Sequence, residues 1–173
     1  MTEGRWVVRA LREDEKAAWA PLWRGYQQFY GVEIPGEVTD LTWARFHDPA
    51  EPMFVLGAFA DGSGVGHSGA ASPSGAISPP GEGGPRLLGI VHYILHRSCW
   101  TAGPYCYLQD LFTVPEARGQ GVGRGLIEAV YAKAAEAGAS RVWWLTQETN
   151  YAGRMLYDRV AARPGFIQYR KLL

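Results

Sequence analysis

The chain has 173 residues, enough for one domain that buries about two-thirds of its unfolded surface around a single core. Lys plus Arg and Asp plus Glu each number 17, so the net charge gives no reason to expect a nucleic-acid partner or an anionic membrane. No stretch approaches the roughly 20 apolar residues that span a bilayer, and the N-terminus has no apolar signal core. We therefore expect a soluble cytoplasmic protein of one domain, in which Cys99 and Cys106 are reduced and structural.

Hydrophobic periodicity predicts ten elements in the order strand, two helices, three strands, helix, strand, helix, strand. Their expected bounds are Trp6–Leu11, a helix that begins at 13–15 and continues to Tyr30, Asp40–Phe46, Met53–Phe59, Leu87–Leu95, Tyr105–Val114, 126–137, Arg141–Thr146, Tyr151–Ala161 and Phe166–Leu173.

Aromatic residues recur at helical spacing along the first predicted helix, between Trp19 and Tyr30. Residues at this spacing share one face, which favours a stripe directed at the core. The edges of Tyr26 and Tyr30 are candidates for lining a substrate pocket.

Residues 61–85 form a Gly/Ser/Pro-rich insertion between two predicted strands. This composition cannot bury a core of its own, so the segment predicts a loop that caps a β-hairpin. A functional lid is the alternative to a neutral insertion.

The segment ARGQGVGRGLIEAV, residues 117–130, places several glycines between a strand and an amphipathic helix. Such glycines leave backbone N–H groups uncovered, so an anion can approach the helix N-terminus. The nucleoside-triphosphate loop needs Gly-Lys-Ser/Thr where this chain has Gly125-Leu126-Ile127, and the dinucleotide fingerprint needs a third glycine where Arg124 or Leu126 stands. The sequence therefore predicts a phosphate cradle of another type.

The run Arg118-Gly119-Gln120-Gly121-Val122-Gly123 matches the pattern Gln/Arg-x-x-Gly-x-Gly/Ala with which the GNAT superfamily of N-acetyltransferases holds acetyl coenzyme A. The stretches YLQDLFTVPEARGQGVGRGLIEAVY and VWWLTQETNYAGRMLYDRV, and the pattern W..L...Y..FY over 19–30, resemble the subgroup of histone and polyamine acetyltransferases. The resemblance covers most of the chain outside the insertion. It implies a GNAT fold of class α/β (α+β): a mixed, mostly antiparallel sheet of six to seven strands, flanked by about four helices. The sheet would part near Val114, where the cofactor enters.

The resemblance also implies where acetyl coenzyme A binds. Backbone amides of the glycine turn would hold the pyrophosphate with help from two arginine charges, and amides at the end of the preceding strand would bind the pantetheine arm and polarise the thioester. The expected cofactor contacts are Leu111, Phe112, Thr113, Arg118, Gly119, Gln120, Gly121, Val122, Gly123, Arg124, Asn150, Gly153 and Arg154.

Acetyl transfer to an amine needs a base, donors for the carbonyl oxygen and an acid for the departing thiolate. A free alkylamine has a pKa of about 10, so it is mostly protonated at neutral pH and must lose a proton before it attacks. The resemblance assigns the acid to Tyr157, two predicted helical turns after Asn150 and on the same side. A core tyrosine packed by its ring is the alternative.

The base is the open role in this sequence. Related diamine acetyltransferases have Glu-Asp where this chain has Gln109-Asp110, and an amide cannot accept the proton. Neighbouring strand residues point to opposite faces, so Asp110 need not replace the missing glutamate. Asp110 is the candidate for the catalytic base, and a purely structural role, as a cap or in a salt bridge, is an equal alternative. A water chain or another acidic residue could also take the proton. Gln109 joins Tyr26 and Tyr30 as a substrate-binding candidate.

Metal and covalent chemistry receive no support from the sequence. His92 and His96, four apart in a predicted strand, face the same way but lie roughly 13 Å apart, and no Cys/His cluster has zinc spacing. Cys106 has no adjacent histidine or helix N-terminus that would favour a thiolate, so direct attack by the amine is preferred over an acetyl-cysteine.

The sequence thus predicts an enzyme that transfers acetyl directly from acetyl coenzyme A to the primary amine of a small molecule such as a polyamine. A protein or basic-peptide lysine, or an N-terminus, is the alternative acceptor. A polycationic acceptor favours a carboxylate-lined pocket, and Gln109 lacks the negative charge of the glutamate in that position. A non-catalytic acyl-coenzyme A binding module is the alternative of another class. Because some relatives of this fold dimerise, a homodimer is a candidate assembly.

Overall fold

The computed structural model describes residues 6–60 and 85–173, which separate into two compact units. The first unit extends to Trp143, and the second comprises Trp144–Leu173. Apart from Pro85, the predicted insertion over 61–85 lies outside the described residues.

The first unit contains one sheet of five strands and three helices. The strands follow chain order across the sheet, with antiparallel pairs from β1 to β4 and a parallel pair of β4 with β5. The elements are β1 Trp6–Ala10, α1 Lys16–Tyr30, α2 Gly36–Arg45, β2 Met53–Ala60, β3 Leu87–His96, β4 Tyr105–Thr113, α3 Val122–Glu136 and β5 Val142–Trp143. The predicted mixed, mostly antiparallel sheet flanked by helices is confirmed.

Helices cover both faces of this sheet. The Trp19 indole of α1 donates a hydrogen bond to His92 of β3, so α1 lies on the face toward which His92 points. A Cβ added to Gly89, three residues earlier in β3, would meet Leu126 and Val122 of α3 at 3.0 and 3.2 Å. Because strand side chains alternate between faces, α1 and α3 lie on opposite sides of the sheet.

The core beneath α1 and α2 is aromatic. Trp19 is fully buried, and its ring lies 4.9 Å from Trp43 and 6.1 Å from Phe46, measured between centroids. Trp23 is also buried and stacks on Tyr26, which is only partly buried. The stripe predicted along this helix therefore faces the core at its start and reaches a partly open position at its end.

The start of α1 is tied to β1 by an ion pair. Arg9 donates to both carboxylate oxygens of Glu15 at 2.7 and 2.6 Å, and the Arg12 backbone N–H donates to the same carboxylate at 2.8 Å. The hydrogen bond from Arg9 is the main cause that lowers the Glu15 pKa from 4.5 to about 2. These donors favour the charged carboxylate.

Replacing Glu15 by Gln is expected to remove a stabilisation that depends on pH. Because the folded pKa is depressed, the contribution is complete above about pH 4.5 and disappears as the pH falls toward about 2. We expect Glu15→Gln to lower the free energy of unfolding by about 1 to 2 kcal/mol at pH 7, since solvent screens part of the pair. Urea titrations at pH 7, 4 and 3 should show the difference shrinking. Glu13→Gln, in the same turn, is the control, and a difference that stays constant with pH would contradict this prediction.

Strand β4 contains a bulge at Gln109. In its pairing with β3, His92 lies opposite Asp110 and Tyr93 lies opposite Leu108, so Gln109 is an extra residue without a partner in the register. A bulge breaks the alternation of side chains along its strand. Leu108 and Asp110 consequently point to opposite faces although they are two residues apart.

Three predicted elements differ by more than two residues at one end, where that end depends on more than hydrophobic periodicity. Helix α3 begins at Val122 instead of 126, because Gly121 is its N-cap. Helix α2 begins at Gly36 instead of Asp40, because Pro35 precedes the helix and Glu37 supplies an acidic first turn. Strand β5 covers Val142–Trp143 instead of Arg141–Thr146, since its ladder with β4 contains two residue pairs.

The second unit consists of α4, Tyr151–Val160, followed by a C-terminal segment without regular structure. The strand predicted over Phe166–Leu173 is absent, so the described residues form five strands instead of six or seven. Phe166, Ile167 and Tyr169 are each at least 75% exposed, and alternating apolar residues form a strand only when a neighbouring strand pairs with them.

Candidate active site

The glycine turn leads directly into α3. Gly119 and Gly121 have φ angles of +75° and +81°, a region that side-chain-bearing residues rarely adopt, and Gly121 is the N-cap. The first helical hydrogen bond joins the Gly125 N–H to the Gly121 carbonyl. Three backbone N–H groups come before this bond, those of Val122, Gly123 and Arg124. They have no hydrogen-bond acceptor within the helix, because the carbonyls four residues earlier lie outside it. This geometry suits an anion at the helix N-terminus.

Gly125 has a different reason to be glycine. A Cβ there would overlap the Trp6 ring of β1, so the residue allows the strand and the helix to pack closely. The Trp6 indole N–H also donates to the Gln120 carbonyl at 3.3 Å, which anchors the turn to the edge of the sheet.

The charged side chains around this turn have local partners. Arg118 Nε donates to the Thr113 carbonyl at 3.2 Å, which directs its side chain toward the end of β4. Arg124 forms an ion pair of 2.7 Å with Glu128, one helical turn later, and this partner offsets much of its charge. Gln120 donates from its side chain to the Glu116 carbonyl. Of the two arginines, Arg118 is therefore the better candidate for a cofactor phosphate.

Gly121→Ala is expected to weaken binding of acetyl coenzyme A. The substitution strains the left-handed N-cap by about 1 to 2 kcal/mol and reorients the first-turn amides, so we expect the KM for the cofactor to rise on the order of 10-fold. Gly138→Ala is a matched control, because Gly138 follows the other end of α3 with φ +70° and open space around it. Both variants should lose similar stability by thermal unfolding, but steady-state kinetics should show a raised KM in Gly121→Ala alone. Equal KM changes would contradict a role for the turn.

The outer edge of β4 carries unpaired amides. The Val114 N–H donates to the Leu88 carbonyl of β3, and antiparallel strands alternate the direction of their amides, so the Phe112 N–H also faces β3. The N–H groups of Leu111 and Thr113 consequently point away from β3. The ladder of β4 with β5 ends at Tyr107, so within the described residues of this unit these two amides are left for a ligand.

An open groove of about 500 Å³ runs between α1 and the end of β4. Its lining includes Gly25, Phe29, Phe112, Val114 and Arg118. A Cβ at Gly25 would meet the Phe112 ring at 2.7 Å, so this glycine lets the ring lie against α1. Two of the predicted cofactor segments, 111–113 and 118–124, therefore contribute to one groove.

Asp110 lies at the centre of a buried polar cluster. Its Oδ2 is 2.9 Å from His92 Nδ1, and His92 Nε2 accepts a hydrogen bond of 2.9 Å from the Trp19 indole. All three residues are more than 90% buried. Because of the bulge, Asp110 points to the α1 face, where it meets these groups. Asp110 is therefore buried, whereas the side-chain amide of its neighbour Gln109 is exposed.

Two tyrosines lie close to this carboxylate, and a third contacts one of them. Tyr26 lies close to Asp110, and burial together with the Asp110 charge raises the Tyr26 pKa above its ordinary value. Burial, followed by the charges of Asp110 and Tyr30, raises the pKa of Tyr107. The Tyr26 and Tyr30 rings lie 4.9 Å apart. The predicted candidates Asp110, Tyr26 and Tyr30 are thus brought together, whereas Gln109 is exposed at the bulge.

Sequence reasoning missed Trp19 and His92 as members of this site. The sequence pattern indicates only a core position for Trp19, and for His92 no role beyond the metal site that its spacing from His96 excludes. The available signal was an acid in β4 and a histidine in β3, two strands predicted to be adjacent. The bulge obscured their pairing, because it shifts the register between them by one residue.

The second unit contains the candidates on α4. Asn150 caps this helix by accepting a hydrogen bond of 3.1 Å from the Gly153 N–H, and its amide donates to Thr146 Oγ1. A Cβ at Gly153 would crowd the Asn150 side chain at 2.5 Å, which explains the glycine. Arg154 donates to the Glu148 carbonyl. These three residues therefore have structural roles of their own. The Tyr157 ring lies edge-on to Trp144, with centroids 5.4 Å apart.

The two cysteines differ in burial. Burial raises the Cys106 pKa to about 11, which keeps this thiol protonated at neutral pH, while Cys99 is exposed. Over 6–60 and 85–173, no group of three or more His, Cys, Asp or Glu side chains is arranged to hold a metal ion. No helix in the same ranges combines the length and the apolar character needed to cross a membrane.

Comparisons with known proteins place the chain in a family. Residues 9–161 match the model of the Acetyltransferase (GNAT) family. Over 171 residues the chain is 33% identical to the D-amino-acid N-acetyltransferase HPA3 of Saccharomyces cerevisiae, covering 99% of this chain and 93% of that protein. It is 34% identical over 88 residues to the thialysine N-epsilon-acetyltransferase of Bos taurus, which corresponds to 50% of this chain and 51% of the relative.

The fold is also found among solved structures. The aminoglycoside N-acetyltransferase AAC(6')-Iy in complex with CoA superposes with a TM-score of 0.71, over 96% of this chain and 95% of that one. At 16% identity this likeness concerns the fold alone. The family match and the nearly full-length relative identify the protein: the chain belongs to the acetyltransferase (GNAT) family and is an N-acetyltransferase.

Proposed function

We propose that the protein transfers the acetyl group of acetyl coenzyme A directly to the primary amine of a small molecule. The observation that carries this proposal is the buried Asp110 carboxylate among tyrosine rings on the α1 face of β4, one residue before the outward-pointing amides. An ammonium group is attracted by a carboxylate and by aromatic faces, and the same carboxylate can then accept its proton.

The acceptor class follows from the size and charge of this cluster together with the relatives. Asp110 is the buried acid of the described core, so it offers a single negative charge to the acceptor. The two relatives are named for D-amino acids and for thialysine, which are both small amines. We propose an acceptor of this kind, an amino acid or a short di- or polyamine, ahead of a peptide.

The proposed reaction assigns one role to each of three groups. Asp110 accepts a proton from the acceptor amine, whose nitrogen then forms a bond to the thioester carbonyl carbon. The N–H groups of Leu111 and Thr113 donate hydrogen bonds to the carbonyl oxygen as its negative charge grows. Tyr157 donates a proton to the thiolate sulfur as the C–S bond breaks. The attacking nitrogen loses its second surplus proton as the C–S bond breaks, and this proton restores Tyr157. Of the two protons that the ammonium loses, one thus ends on the sulfur by way of Tyr157 and the other passes from Asp110 to solvent.

Acetyl coenzyme A would be held by this chain's backbone more than by its side chains. The first-turn amides of α3 and the Arg118 guanidinium would bind its phosphates, and the outward amides of β4 would orient its thioester. The groove lined by Phe112 and Arg118 supports this assignment, because it joins the two segments.

The proposal is tested by mixing purified protein with acetyl coenzyme A and single amines. The panel should contain D- and L-amino acids, thialysine, spermidine, an aminoglycoside and a basic peptide, with products identified by mass spectrometry. Thiol release can be followed with a dye if Cys99→Ser is used, since this exposed thiol would otherwise react. We expect acetylated product from a small amine. Acetylation of the peptide alone would replace the proposed acceptor class, and no product from any amine would refute transfer to amines.

A further inference from the structure

A chain of hydrogen bonds leads from α1 through β3 to the proposed base. The Trp19 indole N–H donates to His92 Nε2 at 2.9 Å, and His92 Nδ1 lies 2.9 Å from Asp110 Oδ2. Trp19 is 0%, His92 2% and Asp110 8% exposed, so water does not compete for these bonds.

The tryptophan settles which nitrogen of His92 carries the proton. Indole nitrogen is only a donor, so His92 Nε2 must accept and carries no hydrogen. A neutral imidazole then has its proton on Nδ1, which donates it to the Asp110 carboxylate. A second proton on His92 would have to occupy Nε2, against the Trp19 N–H. His92 therefore cannot take a proton from Asp110 while this hydrogen bond exists.

We propose that His92, locked by Trp19, is a positioning residue that holds the Asp110 carboxylate in the orientation needed to accept a proton. The inference rests on the proposed function, in which Asp110 is the base. The roles are the reverse of those in a Ser-His-Asp triad, where the histidine moves the proton and the aspartate orients it. In this protein the histidine donates one fixed hydrogen bond, and the Asp110 carboxylate is the group that accepts the proton of the amine.

The remaining contacts of Asp110 agree with this role. Tyr26 of α1 lies close to Asp110, and an ionised carboxylate offers about four acceptor positions, so lone pairs remain for an acceptor amine. The hydrogen bond from His92 of β3 restricts rotation of the carboxylate about its Cβ–Cγ bond. A carboxylate held in this way loses less conformational freedom when the amine binds.

His96 is an internal reference for the experiment. It lies on the same face of β3, and its Nε2 likewise accepts from an indole, that of Trp143, at 3.1 Å. Its Nδ1 is 2.9 Å from the Arg97 carbonyl, however, and not from an acid. The two histidines should therefore share one tautomer but differ in their effect on catalysis.

The first test is independent of activity. Two-bond nitrogen–proton correlations of ¹⁵N-labelled histidine at neutral pH should show His92 and His96 with protonated Nδ1 and unprotonated Nε2. Trp19→Phe keeps a ring in the core but removes the donor to Nε2, so the Nε2 chemical shift of His92 alone should change while Nδ1, still paired with the Asp110 carboxylate, keeps its proton. An Nε2-protonated His92 in the unmodified protein would overturn the proposal.

The second test separates positioning from folding by kinetics. His92→Leu should lower kcat about 10- to 100-fold with a KM for the amine within about 3-fold, the size seen when a residue that orients a reactive group is removed. His92→Asn places an amide N–H near the former Nδ1 and should recover most of kcat. His96→Leu should keep wild-type kcat. Melting temperatures of all variants show whether the fold is intact.

The outcomes distinguish this inference from the proposed function. If the unmodified protein acetylates an amine but a folded His92→Leu keeps full kcat, His92 does not position the base, although the function stands. If His92→Leu unfolds, a folded His92→Asn decides, since its amide N–H can still donate to Asp110: a kcat near that of the unmodified protein supports the positioning role, and a kcat lowered about 10- to 100-fold overturns it. If the unmodified protein acetylates nothing, the proposed function fails and this role fails with it.

Discussion

Asp110→Asn is expected to lower kcat by about 10²- to 10⁴-fold, the contribution of a general base. The amide has nearly the shape of the carboxylate, and its oxygen can still accept the His92 hydrogen bond, so packing in the buried cluster is preserved. It cannot accept the proton of the acceptor ammonium, however. The variant must use the small fraction of amine that is already neutral in solution.

The pH dependence makes this prediction specific. With an acceptor of pKa about 10, the neutral fraction rises about tenfold per pH unit, so kcat/KM of Asp110→Asn should rise with pH and the deficit should narrow by pH 9. Steady-state kinetics from pH 6 to 9 provide the measurement. Asp14→Asn, at an exposed position paired with Arg12, is the control and should match the unmodified protein. A deficit that is independent of pH would indicate that Asp110 binds the amine without accepting its proton.

Tyr157→Phe is expected to lower kcat by about 10²-fold, because the departing thiolate loses its proton donor. The substitution removes a single oxygen and keeps the ring that lies edge-on to Trp144, and the melting temperature shows whether the fold is intact. The measurement is the initial rate of thiol release at saturating cofactor and amine. Binding of coenzyme A, followed by calorimetry, should remain within a few-fold of the unmodified protein.

Tyr151 offers a matched control on the same helix. It is 71% exposed at the start of α4, so Tyr151→Phe removes the same hydroxyl from a tyrosine that faces solvent. We expect wild-type kcat from this variant. If Tyr157→Phe also behaved like the unmodified protein, Tyr157 would be a packing residue held by its ring, and the acid would have to be water or another group.

The features that were predictable from sequence are those set by local rules. Positive φ angles at Gly119 and Gly121 follow from glycine in a strand-to-helix turn, and the Asn150 cap follows from the preference of helix N-termini for this side chain. The helical stripe from Trp19 onward follows from the 3.6-residue period. Each depends on residues close together in the chain, so the sequence alone contains the required information.

The features that were missed depend on partners distant in sequence. The bulge at Gln109 arises from the register of β4 against β3, which no local pattern specifies. The hydrogen bonds of His92 join residues 18 and 73 positions apart in the chain. The strand predicted over Phe166–Leu173 is absent for the same reason. Alternating apolar residues form a strand only when a partner strand is present, and the local pattern does not specify that partner.

The unpaired Gln109 also changes what the loss of one residue would do to β4. In a regular strand, a single deletion turns every later side chain to the opposite face and exchanges core for surface. Leu108 and Asp110 already point to opposite faces, so joining them directly would restore ordinary alternation and leave Asp110 toward α1. Strand length at this point can therefore vary by one residue without inverting the sheet. The bend next to the carboxylate is open to evolutionary adjustment independently of the core.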